Sequence, residues 1–375
     1  MRVVFLGTYD LGKPRTRLLR DCLRQFDPDL REIHFSVWHG VEDKTANLGL
    51  SAKLRIGLIL MLAYPVLAAR YLMAGKHDVV VIGYLGLFDM LLLAPLAKLR
   101  GKPVVWDAFL SVYDTYARDR AMASEADWKA KLLRWIERKA CLNADTVVMD
   151  TRTHAELMSE LHDVPDHKLG AVFVGAEAGA FAISQTKPDR DHDAPVDVLF
   201  YGQFIPLHGI DTIIDAAMQP RGRRFRWTIV GQGQEADRID ARLNVRRQSH
   251  IRRIGWVPYD ALGKLMASTD ICLGIFGVSD KASRVIPNKV YQALLANKPL
   301  ITRGSPAMDE LVQGERRGLY LVPPADPNAL LHALERFADE RPDLPPDLHN
   351  DLHDAFALPA LTQQWRRVIT QAAAQ

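Results

Sequence analysis

The chain has 375 residues, enough for two domains at roughly 150 residues each. Its 48% apolar and 25% charged residues support a large buried core, which excludes a disordered or fibrous chain. Lys and Arg total 48 against 45 Asp and Glu, and the net charge of +3 excludes a histone-like polyelectrolyte while leaving local basic patches open. Cys22, Cys141 and Cys272 are far apart and form no CxxC pair, so neither a zinc ribbon nor a disulfide framework is expected and a reducing cytoplasm is the natural setting.

In chain order, the first apolar run, 3–6, is too short for a signal-peptide core and stops at Gly7, so it reads as a buried strand. Further strands are expected at 32–37, 79–82, 104–106, 146–149 and 171–174, separated by helices at 15–25, 53–73, 87–99, 128–141 and 151–161. Such alternation predicts right-handed βαβ units and a parallel sheet covered on both faces. The polar, proline-bearing stretch 184–195 reads as an interdomain linker. After it come strands at 196–201, 227–230, 251–254, 271–275, 300–302 and 319–322, with helices at 209–217, 235–243, 259–267, 289–296 and 327–338. An acidic, proline-rich connector, 339–354, precedes a last amphipathic helix. The fold class expected is α/β, with two doubly wound Rossmann-like domains at 1–183 and 196–350 facing a central cleft. Residues 351–375 are expected to pack back towards the first domain.

One apolar stretch stands apart. Residues Ile56 to Ala69 are flanked by Lys53, Arg55, Arg70 and Lys76, and at fourteen residues they are too few to span a bilayer. Tyr64 and Tyr71 are amphipathic rings suited to lipid headgroups, and Pro65 is expected to kink or break the helix, giving two short pieces that suit a membrane surface. The alternative is a wholly buried helix pair.

Three strand-to-helix turns could receive an anion. The first carries Gly12 and Lys13, with Arg15 just inside the helix, and could cradle phosphate although it matches neither GxxxxGK[ST] nor GxGxxG. The second carries Gly202, Gln203 and His208, and the third Gly231. In open α/β sheets ligands bind beyond the carboxyl ends of the strands, where these turns sit, although tight turns alone would also require glycine. A basic segment follows, with Lys281, Arg284, Asn288, Lys289 and Gln292 around a helix start at Pro287.

Asp27–Asp29 and 189–193 have acid spacing compatible with a metal, but turn chemistry and solvation explain both, so no metal site is expected. His154 and His162 read as surface residues of one helix. HExxH and GxSxG are absent, which removes the zinc-peptidase and α/β-hydrolase readings. The basic clusters at 221–226 and 246–253 lack an interleaved aromatic platform, so nucleic acid is not an expected partner; solvated loops or attraction to anionic lipid explain them.

Taken as an ordered set, YGQFIPLHGIDTIIDAA, WTIVGQGQE, IRRIGWVPYDALGKLMASTDICLGIF and IPNKVYQALLANKPLIT resemble the second domain of family 4 of the retaining glycosyltransferases, which have the GT-B fold. The resemblance is close over 196–330 and looser through GKPVVWDAFLSVYD and the stretch near 144–150. It implies a nucleotide diphosphate sugar as donor, held by the second domain, and a glycan or lipid-linked acceptor held by the first, with no further cofactor. Such a transferase would serve cell-surface polysaccharide or glycolipid synthesis, peripherally on the cytoplasmic face of the membrane. In the family an Arg and a Lys in the first turn of the second domain bind the diphosphate; Gln203 and His208 stand at those places here. Two family glutamates, eight residues apart, correspond to Arg284 and Gln292. The amide of Gln292 can still bind ribose hydroxyls, and Arg284 can clamp phosphate, so the cationic duty is expected to have moved to Arg284 and Lys289. The family's N-domain histidine is missing, and Asp107 is the polar residue offered to orient a sugar hydroxyl or accept its proton. Tyr113, Asp114, Arg118, Asp119 and Arg120 could add acceptor contacts. The substitutions keep two alternatives open: a non-catalytic nucleotide-sugar-binding subunit, and a GT-B sugar epimerase or phosphorylase.

Overall fold

The computed structural model describes residues 1–37, 50–120, 122–181, 194–245 and 248–374, with 50–53, 180 and 260 described as backbone alone. The expected linker lies almost wholly outside the described residues, as do 189–193 and Arg246–Arg247. The chain divides into two units, Met1–Gly175 with Ala357–Gln375, and Ala176–Phe356. The boundaries expected at 183 and 350 therefore shift to 175 and 356.

The first unit runs β1 (Val3–Gly7), α1 (Pro14–Phe26), β2 (Arg31–His34), α2 (Leu50–Leu72), β3 (Val79–Ile82), α3 (Leu87–Leu92), α4 (Ala94–Leu99), β4 (Val104–Phe109), α5 (Trp128–Asn143), β5 (Thr146–Met149), α6 (Arg152–His162) and β6 (Leu169–Ala171). The strands form one parallel sheet in the order β2-β1-β3-β4-β5-β6. Strands such as Val79–Ile82 are apolar at every position because both faces are covered. On one face, Leu67, Tyr71, Met90, Leu93, Ala140 and Cys141 of α2 to α5 form the core. On the other, Leu18, Leu19, Cys22 and Leu23 of α1 meet Leu361, Trp365 and Ile369.

The second unit runs α7 (Ala178–Phe181), β7 (Asp197–Tyr201), α8 (Ile210–Met218), β8 (Arg226–Val230), α9 (Ala236–Val245), β9 (Ile251–Ile254), α10 (Tyr259–Ala267), β10 (Ile271–Leu273), α11 (Asp280–Arg284), α12 (Asn288–Leu295), β11 (Leu300–Arg303), α13 (Pro306–Leu311), β12 (Leu319–Val322), α14 (Pro327–Glu340) and α15 (Asn350–Phe356). Its parallel sheet has the order β12-β11-β10-β7-β8-β9. The last helix, α16 (Leu358–Ala373), belongs to the first unit and packs along α1.

Several expectations change. The segment 87–99 is two short helices, because Pro95 enters at the start of the second, where its missing N–H costs nothing. The strand expected at 171–174 is Leu169–Ala171, and the 339–354 connector contains most of α15, whose Phe356 and Leu352 are buried. Most instructive is α2, which is continuous through Pro65. A proline removes one hydrogen bond, and the flanking turns of a 23-residue helix carry it across. Its apolar run is also longer than fourteen residues: Leu54–Leu72 is long and apolar enough, by length and composition, to cross a membrane. Nor is it wholly buried. Ala63, Leu67 and Tyr71 enter the core, whereas Leu54, Leu58, Met61 and Leu62 remain exposed.

Candidate functional site

In the second unit β7 ends at Gly202, whose φ of +152° lies in the region that favours glycine. The Gly202 amide donates to the Val230 carbonyl (3.0 Å), and the Phe204 amide to the Gln232 carbonyl (2.8 Å), so the turns after β7 and β8 are joined edge to edge. Gly231 is required by this junction, since a Cβ there would come within 2.0 Å of the Gly202 carbonyl oxygen. Residues 206–208 then make one 3-10 turn, and Gly209 at φ +61° leads into α8. Helix α11 packs beside that turn.

Lys289, in the first turn of α12, reaches back into this place. A Cβ on Gly202 would stand 2.6 Å from its Nζ and 3.0 Å from the His208 ring. Lys289 is buried, its Nζ has no hydrogen-bond partner, and it lies 4.2 Å from the centre of the Phe200 ring. Burial pushes its pKa well below the ordinary lysine value. An ammonium taken from water and given no counter-ion is costly, so this amine fits a site that an anion completes. The His208 Nδ1–H donates to the Gln203 carbonyl, because a carbonyl can only accept; in the neutral ring the proton is thereby fixed on Nδ1.

Of the residues expected at a site, the structure places Gly202, Gln203, His208, Gly231 and Lys289 next to one another. Arg284 ends the neighbouring α11, half-buried, and Asn288 opens α12, also half-buried. Gln292 is placed differently from its expected role. Its Oε1 accepts from the Tyr201 hydroxyl (2.8 Å) and its Nε2 donates to the Tyr259 hydroxyl (3.3 Å), which in turn donates to Glu177 (3.2 Å). Both ends of the amide are already engaged, with one lone pair and one N–H to spare. Tyr201, Tyr259 and Glu177 were not anticipated; only Tyr201, adjacent to Gly202, carried a readable signal.

The first unit corrects more. At the β1–α1 turn the Gly12 amide donates to Asp10 Oδ1 (2.9 Å) and the Lys13 amide to the Asp10 carbonyl (3.2 Å). The Asp10 carboxylate thereby engages the Gly12 amide that was expected to face a phosphate. Arg15 is buried and paired with the fully buried Asp107, Nη2 to Oδ1 2.7 Å and Nε to Oδ1 3.1 Å. Its Nη1 donates to the Val172 carbonyl (2.5 Å), and its guanidinium lies over the rings of Phe109 (5.4 Å) and Trp365 (5.2 Å). Burial raises the Asp107 pKa and Arg15 opposes that shift. In this arrangement the carboxylate is the counter-ion of Arg15, not a group presented to an acceptor.

His154 and His162, expected at the surface, are both buried. His154 Nδ1 pairs with Asp150 (2.5 Å) across a strand-to-helix turn capped by Thr151. His162 Nε2 meets Glu137 (3.1 Å), whose carboxylate also accepts from Ser111 Oγ (2.8 Å) and the Val112 and Tyr113 amides. Tyr113 and Arg118 share Glu125. Asp27 accepts from the Val3 amide and serves the turn. In the basic cluster at 221–226 Arg221 pairs with Glu335 and Arg226 with Asp197, and Arg253 pairs with Asp240. Among the described residues no group of three His, Cys, Asp or Glu could hold a metal ion. A cavity of about 690 Å³ lies elsewhere, against β12 and α14 at the far edge of the second sheet.

Comparison with known proteins agrees with this architecture. Residues 195–340 match a family described as glycosyl transferases group 1, and residues 23–174 match a glycosyl transferase 4-like domain. Among solved structures, sucrose-phosphate synthase from Thermosynechococcus elongatus has a TM-score of 0.71 at 15% identity, covering 100% of this chain and 99% of that one. HepE of Anabaena in complex with UDP has a TM-score of 0.65 at 13% identity, over 99% and 100% of the two chains. The lipopolysaccharide outer core galactosyltransferase WaaB, in its apo form, has 0.64 at 14%, over 99% of each. A comparison with curated protein sequences finds no significant match. Each unit thus matches a glycosyltransferase family model over part of the chain, and the two Rossmann-like units with their parallel six-stranded sheets have the GT-B fold of these structural neighbours.

Proposed function

We propose that this protein is a retaining glycosyltransferase that moves a sugar from a nucleotide diphosphate sugar to a glycan or lipid-linked acceptor, in cell-surface polysaccharide or glycolipid synthesis. The observation that carries the donor assignment is the Lys289 amine, buried without a partner against the Gly202 turn. As the bond between the anomeric carbon and the phosphate oxygen breaks, negative charge builds on the leaving diphosphate. Lys289 supplies a cation at that point and Arg284 a second one from α11, with positioning contributing the rest. UDP is the first nucleotide to test, since HepE has been seen with UDP and with UDP-glucose. Retention rests on the family resemblance. The lipid-linked acceptor rests on α2, whose exposed apolar side suits a cytoplasmic membrane surface.

A second reading, a nucleotide-sugar-binding subunit without activity, is favoured by Gln203, by His208 and by the engaged amide of Gln292. Incubation with a panel of nucleotide sugars separates the two. Release of nucleoside diphosphate supports the transferase. Saturable binding without any release over hours, with candidate acceptors present, overturns it in favour of the binding subunit.

A further inference from the structure

Helix α5 lies on the same face of the first sheet as α2, α3 and α4, and its outer side is not that of an ordinary surface helix. Trp128, Leu132, Trp135 and Leu142 are all exposed, the tryptophans by 69% and 57%. Steps of four, three and seven residues put them on one stripe, about 21 Å long at 1.5 Å per residue. The opposite side, Ala130, Glu137, Ala140 and Cys141, is buried and already makes the helix's contact with the sheet. Scattered exposed apolar residues are ordinary, but a row with two tryptophans is not. Helix α3, packed against α5, adds Phe88 at 50% and Leu92 at 51% exposed.

Charge says what covers this stripe. The only acidic residues in α2, α3, α4 and α5 are Asp89 and Glu137, and both are buried. The exposed charges of these helices are therefore all positive among the described residues, and Lys129, Lys131 and Lys139 border the stripe itself. Lys129 and Lys139 lie over the Trp128 and Trp135 rings, 5.9 and 5.8 Å from their centres. An apolar row carrying tryptophans and rimmed by lysines, with exposed acids beyond the helix at its N-cap Asp127 and at Asp163 beside Arg138 but none within it, is complementary to a layer of anionic headgroups above acyl chains.

We propose that α5 is a lipid-contact helix that lies in the plane of an anionic membrane, with Trp128, Leu132, Trp135 and Leu142 below the phosphates and Lys129, Lys131 and Lys139 among them. This adds a second element to the membrane contact assigned to α2 and does not depend on the donor chemistry. The test is flotation of the full chain with phosphatidylcholine vesicles, with and without phosphatidylglycerol. Wild type floats with the anionic vesicles at low salt, and its fluorescence is quenched by brominated lipid. W128S/W135S and, separately, K129E/K131E/K139E reduce the vesicle partition constant about ten-fold or more, near 1.4 kcal/mol. Both sets replace exposed residues, so unchanged thermal unfolding certifies the fold. L58E/L62E on α2 is run beside them. If the α2 variant stays down while both α5 variants float like wild type, the α5 inference is overturned and the α2 contact stands. If wild type does not float, both fall. A wild-type dimer that W128S/W135S dissociates would make the stripe a protein interface and overturn the proposal equally.

Discussion

Lys289 is where local physics and chemistry meet most closely. Burial shifts this group towards the neutral amine in the free protein, whereas a bound diphosphate would shift it back towards the ammonium. Binding should therefore take up a proton, and affinity should fall as pH rises between the free and bound pKa values. Calorimetry of nucleoside diphosphate binding, in buffers of different ionisation enthalpy, should register that uptake. In Lys289→Met the Lys289 share of the uptake should disappear and affinity should drop about ten-fold or more. Asp89 makes the opposite kind of statement. It is fully buried, accepts from the Thr8 amide (2.8 Å), and burial pushes its pKa up to about 6. A carboxyl raised in the folded state binds its proton more tightly there than in the unfolded chain. Stability should then fall as pH rises from about 4 to about 6, and Asp89→Asn should flatten that slope in urea titrations across the window.

At the scale of elements, the Arg15–Asp107 pair ties α1 to β4, and α16 closes over it through Trp365. Asp107→Ala would leave a buried guanidinium uncompensated and should cost about 3–5 kcal/mol. Trp365→Ala should cost a similar 3–5 kcal/mol through the cavity alone. Chemical denaturation measures both. Nucleoside diphosphate affinity should stay within a few-fold of wild type in each, because the altered residues lie in the first unit and the Lys289 site lies in the second. Loss of that binding in a folded Asp107→Ala would instead show that this carboxylate reaches the donor.

For the whole molecule the division is unequal in kind. The second unit, Ala176–Phe356, is one continuous segment with its own core, whereas the first needs α16 from the other end of the chain. A fragment of residues 176–356 should fold alone and bind nucleoside diphosphate within a few-fold of the full chain. A fragment of residues 1–175 should be insoluble or unfold early, because the α1 side of its sheet loses Leu361, Trp365 and Ile369. Thermal unfolding of the two fragments, and of the first with 357–375 supplied on a linker, tests this directly.

The alternation of apolar strands and amphipathic helices was legible from the sequence because strand and helix periodicity are local properties; every described strand overlaps or adjoins an expected one. The glycine turns and the basic helix start were legible for the same reason, since Gly202, Gly231 and Lys289 each answer to backbone geometry or to a neighbouring residue type. What Asp107, Gln292 and His162 do was not legible. A carboxylate's role depends on whether a cation such as Arg15, 92 residues away, arrives beside it, and no local pattern encodes that meeting. The outer side of α5 needed the tertiary structure for the converse reason. The sequence predicts a helix there but not which side meets the sheet, and only the fold shows that Ala130, Ala140 and Cys141 took the core and left Trp128 and Trp135 facing outward.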